Sequence, residues 1–164
     1  MTDETQTRRS VMTANYRYLI EDFCKLCGLE NSGQIMRGGP VVVDGSMFSL
    51  IYSETVNPDI MFIYCDCGDV PLGRQADAYK ALLEANLFLY TGTGPSFTVS
   101  DETGRVLLVD QYPLRDKSAP EELRNVLSQL AALAKEWRTD HFLEKSASRF
   151  RSSSARIPGL NWPS

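Results

Sequence analysis

The 164-residue chain predicts an α+β fold, an antiparallel sheet with helices packed on it in the order α-β-β-β-α-β-β-α. Three observations carry this. Apolar residues form stripes at helical spacing in the first and last of three helical stretches, and five shorter apolar runs bounded by turn residues read as strands. Tight-turn residues (Asp44-Gly45, Asn57-Pro58-Asp59 and Asp101 to Gly104) join neighbouring strands, so consecutive strands run antiparallel. The helical stretches separate the strands into groups of three and two.

The first helix is predicted from Thr13, placed as its N-cap, to Gly28, placed to end it. Tyr16, Leu19, Ile20, Phe23, Leu26 and Cys27 form its apolar stripe, and Tyr18 falls off the stripe as an exposed aromatic. Pro40–Val43, Ser46–Glu54 and Ile60–Cys67 follow as a three-stranded meander. Phe48, Leu50 and Tyr52 share one face of the second strand, and Ile60, Phe62 and Tyr64 share one face of the third. Both faces of the meander are apolar, where a sheet with one wet face alternates cleanly. Contiguous apolar area of this kind marks a partner surface unless a helix covers it.

The second helix runs from Arg74 to Tyr90 and is stopped by Gly92-Thr-Gly-Pro95. Between Ala81 and Tyr90 only Glu84 and Asn86 are polar. A helix apolar all round is normally buried on every side, which here requires a second copy of the chain. Tyr79, Leu82, Leu83, Asn86, Leu87 and Tyr90 are the candidate dimer contacts, with Asn86 placed to fix register. Ser96–Ser100 and Arg105–Tyr112 are the last two strands. Pro120 opens the closing helix, Glu121 and Glu122 suit its positive end, and Leu123, Val126, Leu127, Leu130, Leu133, Ala134 and Trp137 form its stripe.

These boundaries divide the chain into a flexible leader (1–12), one domain (13–138) and a Ser/Arg-rich tail (139–164). The polar start, without a secretory apolar stretch, predicts a cytoplasmic protein, and no run is long enough to cross a membrane. Four basic and two acidic residues lie beyond Arg138, leaving 13 basic against 19 acidic in the body. That acidic balance argues against a nucleic-acid partner, which needs a basic footprint.

Catalytic chemistry is not indicated. The single histidine, His141, sits where the tail begins, and neither a phosphate loop nor a dinucleotide loop is present. The spacings Cys24-x-x-Cys27 and Cys65-x-Cys67 suggest zinc or redox use at first sight. They lie within a helical and a strand pattern, however, which favours small core residues in a reducing compartment. No metal or cofactor is expected.

The order Leu82-Leu83-Glu84-Ala85-Asn86, a Gly-rich break, a strand, a D-x-x-G turn and a strand ending in Pro113-Leu114 resembles the class I type III secretion chaperones of the Tir-chaperone (CesT) family. The likeness extends to Asp44–Tyr52, Gly68–Leu72 and the helix ending at Trp137. It implies a bacterial cytoplasmic homodimer that holds the N-terminal region of type III effectors in extended, secretion-competent form, with the secretion ATPase as a further partner. On that reading Tyr18, Phe48, Leu50, Tyr52, Phe62 and Tyr64 are the candidate cargo contacts, and an ordinary core role stays open for each. The alternative is a dimeric adaptor or inhibitor whose partner is a folded protein.

Overall fold

A computed structural model describes residues 2–89, 92 and 94–144. The elements are α1 (Thr2–Cys27), α2 (Ser32–Met36), β1 (Val41–Val43), β2 (Ser46–Tyr52), β3 (Ile60–Gly68), α3 (Gln75–Leu89), β4 (Ser96–Val99), β5 (Val106–Pro113) and α4 (Pro120–Asp140). The strands form one antiparallel sheet in the spatial order β1-β2-β3-β5-β4. The α+β class and the order of the predicted elements are as the sequence implies.

Two differences concern the helices. The leader expected to be flexible is the first part of α1, and Thr13 lies inside that helix rather than capping it. Asp3 and Glu4 suit the positive end of the helix dipole. The added turns are anchored by contacts from distant residues: Arg8 pairs with Asp59 at 2.8 Å, and Thr13 Oγ1 lies 3.0 Å from Glu54 Oε2. α2 is a single short turn that periodicity does not reveal; Ile35 anchors it in the core.

Register fixes the two faces. Phe48 stands opposite Cys65, Leu50 opposite Ile63 and Tyr52 opposite Met61, while Cys65 and Ile63 stand opposite Leu108 and Asp110. This inner face carries the core. Phe48, Leu50, Met61, Ile63, Cys65, Val106 and Leu108 are fully buried there with Ile20 and Phe23 of α1 and Leu123, Leu127 and Trp137 of α4. Burial of one large aliphatic or aromatic side chain contributes about 1.5–3 kcal/mol, so this layer dominates stability. Tyr16 of α1 stacks on Tyr52 with ring centroids 4.7 Å apart. Burial pushes the Tyr16 hydroxyl up to about 12.

The ends of the layers are tied by side chains. Asp44 (φ 48°) and Gly45 (φ 76°) make the left-handed pair that a two-residue hairpin demands. Arg138 at the end of α4 donates to the buried Ser46 hydroxyl at 2.8 Å and to the Asp66 carbonyl at 3.2 Å. Beyond α4, His141 and Phe142 adopt left-handed conformations, and Phe142 is buried edge-on against Phe97 and Trp137. Residues 145–164, the larger part of the predicted tail, lie outside the described residues.

Candidate functional site

The opposite, outer face of the sheet is built in register rows. Val42, Met47, Asp66, Leu107 and Thr98 form the first, Ser49, Tyr64, Val109 and Ser96 the second, and Ile51, Phe62 and Gln111 the third. Met47 is 49% exposed, Val42 and Ile51 are exposed as well, and Phe62, Tyr64, Leu107 and Val109 are half-buried. α1 and α4 contribute their buried stripes to the inner face, and α3 stands beside β4. The outer face is therefore an apolar band without a covering helix among the described residues.

Its polar fringe is concentrated at one end. Arg105 grips Asp66 through Nε and Nη2 at 3.0–3.2 Å and reaches Asp69 through Nη1 at 3.0 Å. Asp44, Asp101 and Glu102, all exposed, lie in the two hairpin turns at that same end of the sheet. On the inner face of β5, where Asp110 stands opposite Ile63, burial raises the Asp110 carboxyl above the ordinary carboxylate range, offset in part by the Gln111 amide.

Of the six expected cargo contacts, the structure separates two groups. Phe62 and Tyr64 stand on the outer face. Phe48 and Leu50 do not: both are 0% exposed in the core, and the expectation that they contact a partner is corrected. Tyr52 shares their inner face, where it stacks on Tyr16 and its hydroxyl lies 3.3 Å from both the Pro58 carbonyl and Thr13 Oγ1. Tyr18 is 62% exposed on α1, away from its buried stripe. Met47, Ile51, Leu107 and Val109 belong to the outer face and were missed. Their signal is parity, because they alternate in step with the polar Ser49 and Asp66.

α3 divides in the same way. Ala78, Ala81, Leu82 and Ala85 are buried against the chain's own core, so Leu82 is not a free dimer contact. Tyr79, Leu83 and Leu87 are exposed one turn apart along a single line, Leu83 at 70%. Asn86 accepts from the Phe97 amide through Oδ1 at 2.7 Å and donates through Nδ2 to the Phe97 carbonyl at 3.0 Å. It acts as a one-residue strand partner for the edge of β4, rather than as the register-setting residue between copies that was expected. Covering an edge in this way prevents unwanted strand pairing. Tyr90 lies outside the described residues.

The cysteines are free thiols. Cys65 and Cys67 are buried in the core face of β3, with Cys67 Sγ 3.7 Å from the Cys65 carbonyl. The contact between the two thiols and their burial push Cys67 far up, while that contact, aided by Arg138, holds Cys65 down. Burial raises Cys24 and Cys27. Among the described residues no group of three or more His, Cys, Asp or Glu is placed to hold a metal, and no helix is long and apolar enough to cross a membrane.

Comparison with known proteins adds to this geometry. The profile of the Tir chaperone protein (CesT) family matches residues 18–138. No curated protein matches the chain. Among solved structures, the chain is similar to one in the ExsC–ExsE complex at 17% identity, with a TM-score of 0.54, over 77% of this chain and 92% of that one. It is also similar to one in the HopA1–SchA chaperone–effector complex at 15% identity, with a TM-score of 0.55, over 77% and 96%. At these identities the likeness establishes the fold.

Proposed function

The chain belongs to the Tir chaperone protein (CesT) family, and on that premise we propose that it is a chaperone for the N-terminal region of one or more type III secretion effectors. The client is held in extended form, stable and competent for export, in the bacterial cytoplasm. The observation that carries this reading is the outer face of the sheet: an apolar band bearing Met47, Ile51, Phe62, Tyr64, Leu107 and Val109, with both long packing helices on the other side. An extended segment suits such a band, because alternate side chains fill apolar sites while its backbone stays solvated or pairs with an edge.

The sheet edges restrict where pairing can occur. Asn86 occupies the edge of β4 at Phe97, and α2 flanks β2. β1 and the part of β5 beyond Val109, which β4 does not reach, remain available among the described residues. Tyr18, exposed on α1 on the other side of the sheet, is a separate candidate contact. Ordering a flexible client costs about 2–5 kcal/mol or more of the gross interaction energy, so the client must wrap a large surface. Two copies of the chain supply it, joined through Tyr79, Leu83 and Leu87 of α3, and the secretion ATPase is a further partner of the loaded complex.

The test is co-expression with the N-terminal fragment of a candidate effector. The fragment should co-purify, stay protease-sensitive by itself and be protected in the complex. Phe62→Asp should abolish capture while leaving circular dichroism and melting unchanged. Capture of a compact, independently folded partner, or full capture by Phe62→Asp, overturns the reading.

A further inference from the structure

We propose that the segment from Lys145 to Trp162 of this same chain is a built-in occupant of the outer sheet face, with Ile157, Leu160 and Trp162 lying on the apolar band when no client is present. The inference deepens the functional reading above and rests on it for one step only, the competition with client.

Four observations point to this occupant. The first is the exit point of the described chain. Arg138 bonds Ser46 and the Asp66 carbonyl, and Phe142 packs on Phe97, so the described chain approaches its last residue, Glu144, at the end of the sheet where Met47, Asp66 and Leu107 begin the outer face. The second is length. Twelve residues separate Glu144 from Ile157, and at about 3.3 Å per extended residue they span about 40 Å. The band from Met47 to Ile51 covers four residues of strand, about 13 Å. The segment can round the end of the sheet with slack to spare.

The third is charge. Residues 145–164 hold Lys145, Arg149, Arg151 and Arg156 and no acid, a net of +4; the rest of the chain keeps 13 basic against 21 acidic residues, a net of −8. The end that must be rounded carries Asp44, Asp66, Asp69, Asp101 and Glu102, of which Asp66 and Asp69 are bonded by Arg105. Complementary charge steers the segment to that end and draws no net charge onto the apolar rows. The fourth is composition. Ile157, Leu160 and Trp162 follow the basic stretch, and Pro158 and Gly159 between them disfavour a helix and favour the extended chain that the rows accept.

A tethered occupant at high effective concentration shields apolar area from aggregation, yet yields to a client that buries more surface. A client therefore meets a lowered apparent affinity, and removal of the three anchors raises it.

Two measurements on the full chain test the proposal without any client, so their failure leaves the chaperone reading standing. The first uses the dye 1-anilinonaphthalene-8-sulfonate as a probe of exposed apolar surface. The variant Ile157→Ser/Leu160→Ser/Trp162→Ser should bind it with several-fold higher fluorescence than the natural chain, at unchanged circular dichroism; equal fluorescence overturns the proposal. The second follows acrylamide quenching of Trp162, isolated as the difference between the natural chain and Trp162→Phe. Quenching of Trp162 should be weak, and Met47→Asp should raise it several-fold. Strong quenching in the natural chain, insensitivity to Met47→Asp, or protection that disappears on dilution and so arises between molecules would each overturn it.

Discussion

Replacing Asn86 by Ala removes both hydrogen bonds that close the edge of β4, the 2.7 Å acceptance from the Phe97 amide and the 3.0 Å donation to its carbonyl. Each such bond contributes about 0.5–1.5 kcal/mol net, so the loss should be about 1–3 kcal/mol. Asn86 is only half-buried, and water can re-solvate part of the freed edge, which places the expected value in the lower half of that range. For a domain of this size about 1 kcal/mol moves the melting temperature by about 2–4 °C. Urea denaturation at two protein concentrations measures the effect, and hydrogen exchange at the Phe97 amide reports it locally. The expected outcome is a lowered unfolding midpoint, an unchanged denaturant slope and accelerated exchange at Phe97. Asn86→Asp keeps an acceptor for the amide but sets a charged oxygen against the Phe97 carbonyl, so it should destabilise too. A stability change under about 0.5 kcal/mol, the range typical of neutral surface substitutions, refutes the bond assignment. An effect confined to the association constant would instead restore Asn86 to a role between copies.

Three other outcomes follow from the same geometry. Leu83→Asp should convert a sedimenting dimer to a monomer that keeps its helix content, because Leu83 is 70% exposed on α3; a variant that remains dimeric sinks the proposed interface. Leu50→Asp should unfold the protein in a thermal melt, since it buries an unpaired charge in the core, whereas Phe62→Asp should fold and fail only in client capture. Asp110→Asn should raise the melting temperature at pH 7. Burial raises the folded-state carboxyl, so ionisation penalises the native form above the ordinary carboxylate value, and the advantage of Asn should shrink as pH falls through the raised folded-state value and be gone below about 3.9. An advantage that is constant with pH contradicts the burial argument.

Most elements were legible because each rests on local signals: stripes at helical spacing, alternation, and turn residues such as Asp44-Gly45. The assignment of faces was not. Phe48 and Leu50 alternate in step, and so do Phe62 and Tyr64, but the two pairs lie on opposite faces because Tyr52 pairs with Met61 across the turn. A shift of one residue in that pairing exchanges every side chain. β3 is apolar at both parities, so hydrophobicity does not fix the choice; the polar Ser49 and Asp66 do, and they mark the wet side. The early turns of α1 were hidden for another reason. Their anchors, Arg8 on Asp59 and Thr13 beside Glu54, join residues some forty to fifty positions apart, and no local pattern announces such a pairing. The α3 pattern was half informative: its all-round apolarity is real, but small residues seat one side on the chain's own core and leave the Tyr79–Leu83–Leu87 line outward.

The guanidinium at position 138 sets a boundary for anyone shortening this protein. It supplies the partner of the Ser46 hydroxyl, whose residue is only 1% exposed, and the phenyl ring of Phe142 seals the indole of Trp137 and the Phe97 ring four positions later. A polypeptide cut where the family likeness stops would keep the first contact and lose the second, opening the hydrophobic interior at its seam with the last hairpin. The smallest piece worth purifying therefore runs through Leu143.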